Sequence, residues 1–140
     1  MSIDITTLEV GQIVASGEFP ISRGSLVRYA GASGDFNDIH YRDDIAISVG
    51  LPGVLAHGML TMGVAVQPVI DWIGDPGKVL DYGVRFTRPV LVDATEGALV
   101  TVSAKIGAFD AEKQTARVDL TVTAADTTVL GKAQVVVSLA

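Results

Sequence analysis

Cysteine is absent from the chain. That excludes disulfide scaffolds, thiolate nucleophiles and cysteine-ligated zinc together, and it suits a reducing, cytoplasmic setting. Positive charge is thin: ten Lys and Arg stand against sixteen Asp and Glu, a net charge of −6. The cations are scattered rather than clustered, so the footprint of a nucleic-acid binder is missing. Charged residues make up only 19% of the chain and hydrophobic ones 49%, which excludes intrinsic disorder. The opening "MSIDITTLEVGQ" has acids where a secretory signal needs a basic segment and then an apolar one. Residues 45–70 hold no Asp, Glu, Lys or Arg, a run long enough to span a bilayer. It is interrupted by "GLPG" at 50–53, by His57 and by Gln67-Pro68. The expectation is therefore a loop followed by a buried helix, in a soluble protein with no membrane insertion.

What is present falls into two textures. At 140 residues the chain is expected to form a single domain, 1–140, with a real core. In "TARVDLTVTA" at 115–124, Ala116, Val118, Leu120, Val122 and Ala124 share one face and polar residues share the other, the mark of a half-buried strand. The same period recurs at 98–106 and 129–139, with "FDAEKQ" and "AADTT" as hairpin turns. A fourth strand is expected at about 79–86 after the turn "GDPG", and a fifth at 12–20. Before them, Ser22 is placed to cap a short helix through Leu26 and Ala30, and Asp43 to cap another over 45–49. "HGMLTMGVAVQPVIDWIG" at 57–74 has Met59, Met62, Val66 and Ile70 at helical spacing, yet its other faces are nearly as apolar. A helix greasy all round must be surrounded, and a curled antiparallel sheet supplies that. The predicted class is α+β, a sheet wrapped around a long helix, with a kink or break at Pro68.

"GDFNDIH" at 34–40 concentrates Asp35, Asn37, Asp38 and His40 in an apolar chain. One reading is a turn whose short polar side chains bond nearby amides. A calcium loop needs oxygen ligands at alternate positions, and Ile39 stands where the third belongs. Two histidines without cysteine make a zinc site weaker still. The remaining reading is acid–base catalysis, with the Asp35 carboxylate across a turn from the His40 imidazole and one water or hydroxyl between them. His57, at the start of the apolar helix, is either catalytic or a hydrogen-bonded structural group. Gly58 either lets a substrate carbonyl approach free backbone N–H groups of the first turn or permits close helix–sheet packing.

"SGDFNDIH" at 33–40 followed by "AHGMLTMG" at 56–63 resembles the MaoC-like, (R)-specific enoyl-thioester hydratases and dehydratases. Their D-x-N-P-x-H motif precedes an H-G-M-L segment at about this distance. "YGVRFTRPV" at 82–90 is similar to the family's following strand, and the likeness runs from "VGQIV" to the last strand. "YAGASGD", "HGMLTMG" and "WIGDPG" resemble most the catalytic B-type subunits of mycobacterial-type (3R)-hydroxyacyl-carrier-protein dehydratases. The resemblance implies a hot-dog fold. It implies that Asp35 and His40 are the catalytic pair, that Asn37 supports them, and that the Gly58 N–H holds a thioester carbonyl. Ser33 and His57 stand beside these as supporting or substrate-binding positions. It implies an acyl-CoA or acyl-carrier-protein thioester substrate, no metal or other cofactor, and a homodimer or a heterodimer with a related hot-dog subunit. Two positions depart from the pattern. Asp38 replaces the usual proline, adding a negative charge near His40 and an expectation of activity at higher pH. Val66 stands where several relatives carry serine. Two rival readings share the fold: an acyl thioesterase, and a non-catalytic subunit that shapes a partner's groove.

Overall fold

The computed structural model describes residues 2–140. Five strands form one antiparallel sheet: β1 (Ile13–Ile21), β2 (Val79–Phe86), β3 (Ala98–Asp110), β4 (Thr115–Ala124) and β5 (Thr127–Ser138). Their order across the sheet is β1-β3-β4-β5-β2, so the two strands expected least strongly from alternation lie at its edges. The apolar face anticipated for β4 is the buried one: Ala116, Val118 and Val122 face inward with Val100, Val102 and Ile106 of β3 and Val135 and Val137 of β5. Each of these valines and isoleucines is almost wholly removed from water, worth roughly 1.5–3 kcal/mol apiece.

There are four α-helices among the described residues, α1 (Arg23–Ser33), α2 (Asp43–Ser48), α3 (Gly58–Ala65) and α4 (Gln67–Ile73), of which α3 and α4 pack on the sheet. The expected Ser22 cap is formed, its hydroxyl accepting from the Ser25 N–H at 3.1 Å. The expected Asp43 cap is not. Asp43 lies inside the first turn of α2, Arg42 occupies the cap position, and the Asp43 carboxylate reaches Arg23 at 2.9 Å instead. A guanidinium binds a carboxylate more strongly than a backbone N–H does, so the ion pair wins. The break at Pro68 falls as expected, and the apolar segment becomes two short helices rather than one. Carbonyls freed at the break find new donors: Tyr82 Oη donates to Met62 O at 2.7 Å and Gln67 Nε2 to Gly63 O at 3.3 Å.

The sheet wraps the helical segment as the predicted α+β class requires, but leaves one side of α3 open. Thr61 and Ala65 are buried, but Met59 is 58% exposed, and Leu60, Met62 and Val64 are only partly covered. None of the helices among the described residues is long and apolar enough to cross a membrane.

Candidate active site

The site is assembled where α1 ends, α3 begins and the segment after β2 crosses beneath them. α1 stops at Gly34, whose φ of 78° is left-handed and whose N–H closes the helix on Ala30 O at 2.9 Å. Glycine adopts that conformation without strain, so the chain turns sharply and delivers Asp35. Ser33 Oγ then accepts from the Asp35 N–H at 3.1 Å, and Asp35 Oδ1 accepts from the Asn37 N–H at 3.2 Å. Asn37 Oδ1 caps the single 3-10 turn of residues Asp38–His40, accepting from the Ile39 N–H at 3.2 Å. Ser33 and Asn37 thus set the backbone under the pair rather than reaching into it.

His40 is held from behind by a backbone ladder. Ala56 N–H donates to Val90 O at 2.8 Å and Val92 N–H to Val54 O at 3.0 Å, so residues 54–56 are pinned to the crossing segment. Leu55 N–H bonds Ile39 O at 3.1 Å, and Leu55 O faces His40 Nδ1 at 2.8 Å. A carbonyl can only accept, so Nδ1 carries the proton and Nε2 is left as a base. Nε2 lies 3.7 Å from Asp35 Oδ2. That is too long for a direct hydrogen bond, yet short enough for both atoms to hold one oxygen between them. The His40 side chain is 10% exposed and that of Asp35 51%, so the pair sits at a mouth with the base inside.

Gly58 is the first residue of α3, and its N–H has no acceptor within the helix. A Cβ built there would lie 3.0 Å from the Phe86 ring, so phenylalanine packs directly on the bare backbone. Gly58, His40, Leu55, Thr61, Phe86 and Leu130 all line one largely apolar cavity of about 300 Å³. Asp35 is not among its lining residues, and its carboxylate lies 3.7 Å from the Nε2 of His40, which is.

His57 is buried and serves the loop: its Nε2–H donates to Asp35 O at 3.0 Å. Its ring stacks on that of His40, with centroids 3.8 Å apart and planes at 21°, and Tyr29 meets it edge-on at 4.8 Å. Asp35, His40 and His57 bring possible ligand atoms within 4.8 Å of one another. They do not fit a metal ion, because stacked imidazoles aim their lone pairs side by side, and an ion in the plane of one ring is out of the plane of the other. Asp38 is engaged away from the base: its carboxylate accepts from Tyr41 Oη at 2.6 Å and lies 3.9 Å from Arg42. Sequence reasoning missed Tyr29, Phe86 and the Leu55 carbonyl. The last is a backbone group and carries no side-chain signal.

The five-stranded antiparallel sheet with its packed helices is the hot-dog fold expected from the sequence. Residues 7–124 match the model of the MaoC-like domain, and the chain belongs to that family. It is 38% identical over 80 residues to 3-hydroxyacyl-thioester dehydratase X of Mycobacterium tuberculosis, covering 57% of this chain and 28% of that protein. It is 31% identical over 84 residues to the (R)-specific enoyl-CoA hydratase of Rhodospirillum rubrum, covering 59% of this chain and 58% of that one. A solved structure described as a MaoC-like dehydratase superposes with a TM-score of 0.95 at 39% identity, over 99% of this chain and 43% of that one. The chain thus spans from about a quarter to somewhat over half the length of these relatives.

Proposed function

We propose that this chain is an (R)-specific 3-hydroxyacyl-thioester dehydratase, equally a trans-2-enoyl-thioester hydratase, acting by acid–base catalysis in fatty-acid metabolism. The observation that carries the reading is the 3.7 Å gap between Asp35 Oδ2 and His40 Nε2, with His40 and Gly58 lining one cavity. In dehydration the thioester carbonyl accepts a hydrogen bond from Gly58, and His40 Nε2 removes a proton from the adjacent carbon. Charge gathers on the carbonyl oxygen, where a backbone donor is worth on the order of 3 kcal/mol in the transition state. The carbon–oxygen bond at C3 then breaks. The hydroxyl, held between Asp35 and His40, leaves as water with the proton His40 had taken. In reverse, the same pair activates water for addition to the enoyl thioester. The thioester acidifies its own α-carbon, so the residues present suffice for the proton transfers. The names of the two curated relatives support the substrate class, an acyl-CoA or acyl-carrier-protein thioester. We place the enzyme in the cytoplasm and as a dimer, with itself or with a related hot-dog chain, because the apolar face of α3 is left uncovered.

The test is incubation with a crotonyl thioester while the conjugated double bond and free thiol are both followed. Loss of the double bond without thiol supports hydration, and His40→Ala or Asp35→Asn should slow it by about 10²-fold or more. Released thiol would make the chain a thioesterase instead. Undiminished turnover in His40→Ala would make the pair a bystander and the chain a groove-forming subunit.

A further inference from the structure

The reaction proposed above gives no task to the ring of His57, which is 1% exposed and packed between His40 and Tyr29. Its Nε2–H clamps the Asp35 carbonyl, and its backbone leads directly into Gly58. Clamping a carbonyl needs only one donor. It does not need an aromatic face laid against the base at 3.8 Å, nor the Tyr29 edge that holds that face in place at an angle of 64°. Nδ1 is buried and has no partner among the described residues, so the Nε2–H tautomer satisfies the one bond the ring makes. A buried, uncharged π face in contact with a histidine that becomes cationic during turnover is a cation–π arrangement in waiting.

We infer that His57 is a positioning residue whose ring is the platform for His40, holding the imidazole in plane and carrying its positive charge while the substrate proton resides there. The inference rests on His40 being the base. The charged and titratable groups around the stack are few. Asp35 faces His40 from the loop, and Tyr29 faces His57 from α1. Arg88 borders the same cavity from the segment after β2. Asp38, on the 3-10 turn, is taken up by Tyr41 and Arg42. Asp35 balances the charge at the edge of the ring; His57 supports it from the face. These are separable contributions.

Two substitutions separate the clamp from the platform. His57→Gln keeps a donor for Asp35 O and removes the ring, whereas His57→Phe keeps the ring and removes the donor. The chain has two histidines, so each variant has His40 as its single imidazole, and its ring protons can be titrated by NMR without any substrate. The expected result is a His40 titration midpoint in His57→Gln lower than in wild type by about half a pH unit or more. Its kcat falls on the order of tenfold with KM within roughly twofold, and the acid limb of the kcat profile moves down by the same interval. His57→Phe keeps the wild-type midpoint and limb, and its loosened loop shows instead as a raised KM. Equal His40 midpoints in wild type and His57→Gln overturn the inference, and so does a wild-type kcat in His57→Gln. Should His57→Phe fail to fold, the comparison of His57→Gln with wild type decides alone. An active His40→Ala variant would overturn the base assignment itself, a different outcome from any of these.

Discussion

Asp38 shows how one residue can depart from a family pattern at little cost. The position suits proline: Asn37 before it sits at φ −58° and ψ 128°, the region a residue preceding proline prefers, and the 3-10 turn starts at Asp38 itself. No acceptor for the Asp38 N–H occurs among the described residues, so proline would forfeit no backbone bond. What it would forfeit is the Tyr41 hydroxyl bond and a long contact to Arg42, both on the surface, where such pairs contribute little. Stiffening the unfolded chain returns about 0.4–1 kcal/mol. The two nearly cancel, so Asp38→Pro should leave the urea unfolding midpoint almost unchanged and the enzyme active. The tyrosine reports the change more clearly. Its bond to Asp38 pushes the Tyr41 hydroxyl above the ordinary tyrosine range, and phenolate absorbance should show that group ionising at lower pH in the variant. A destabilisation beyond about 1.5 kcal/mol would mean that the carboxylate, not the turn, organises this loop. The added carboxylate is held by Tyr41 and Arg42.

Between elements, the bond from Tyr82 Oη to Met62 O ties the edge strand β2 to the last turn of α3, where Pro68 has ended the helix. Burial raises the Tyr82 hydroxyl to about 12, whereas in an unfolded chain it ionises near pH 10. The folded state therefore holds this proton more tightly. The associated stability is fully present below about pH 10 and is lost as pH climbs towards 12. Tyr82→Phe leaves Met62 O without its donor and should cost about 1 kcal/mol at neutral pH. It should also flatten the fall in unfolding midpoint above pH 10 relative to wild type; parallel curves would show that Tyr82 is not the group lost. The break at this site was legible in the sequence because proline acts locally, and the alternation of β3, β4 and β5 was legible for the same reason. The order of the sheet was not, since β2 precedes β3 in the chain but pairs with β5. The polar loop announced Asp35 and His40. That the ring of His57 would lie on His40 depends on contacts far apart along the chain, and no spacing encodes it.

At the scale of the whole molecule, the accessible surface is 7697 Å² for 14.6 kDa. A folded monomer of that mass is expected to show about 6,900 Å². The surface is thus somewhat larger than that average. Some apolar surface lies on α3: Met59 is its most exposed side chain, and Leu60 and Met62 are only partly covered. The sheet covers one side of that helix, and the dimer proposed above would cover the other. Sedimentation equilibrium should therefore give about twice 14.6 kDa, and the thermal midpoint should rise with protein concentration, as it does when association stabilises the fold. Met59→Lys places a cation in the centre of the proposed contact without touching the core. It should return the mass to that of one chain and make the thermal midpoint independent of concentration. Mass, rather than activity, is the proper readout, because Met59 adjoins Gly58 and turnover would change for two reasons at once. If Met59→Lys stays dimeric, the helix face is not the contact, and the same measurement on Leu80→Lys, whose side chain is exposed on the unpaired edge strand β2, would test the alternative of sheet-to-sheet pairing.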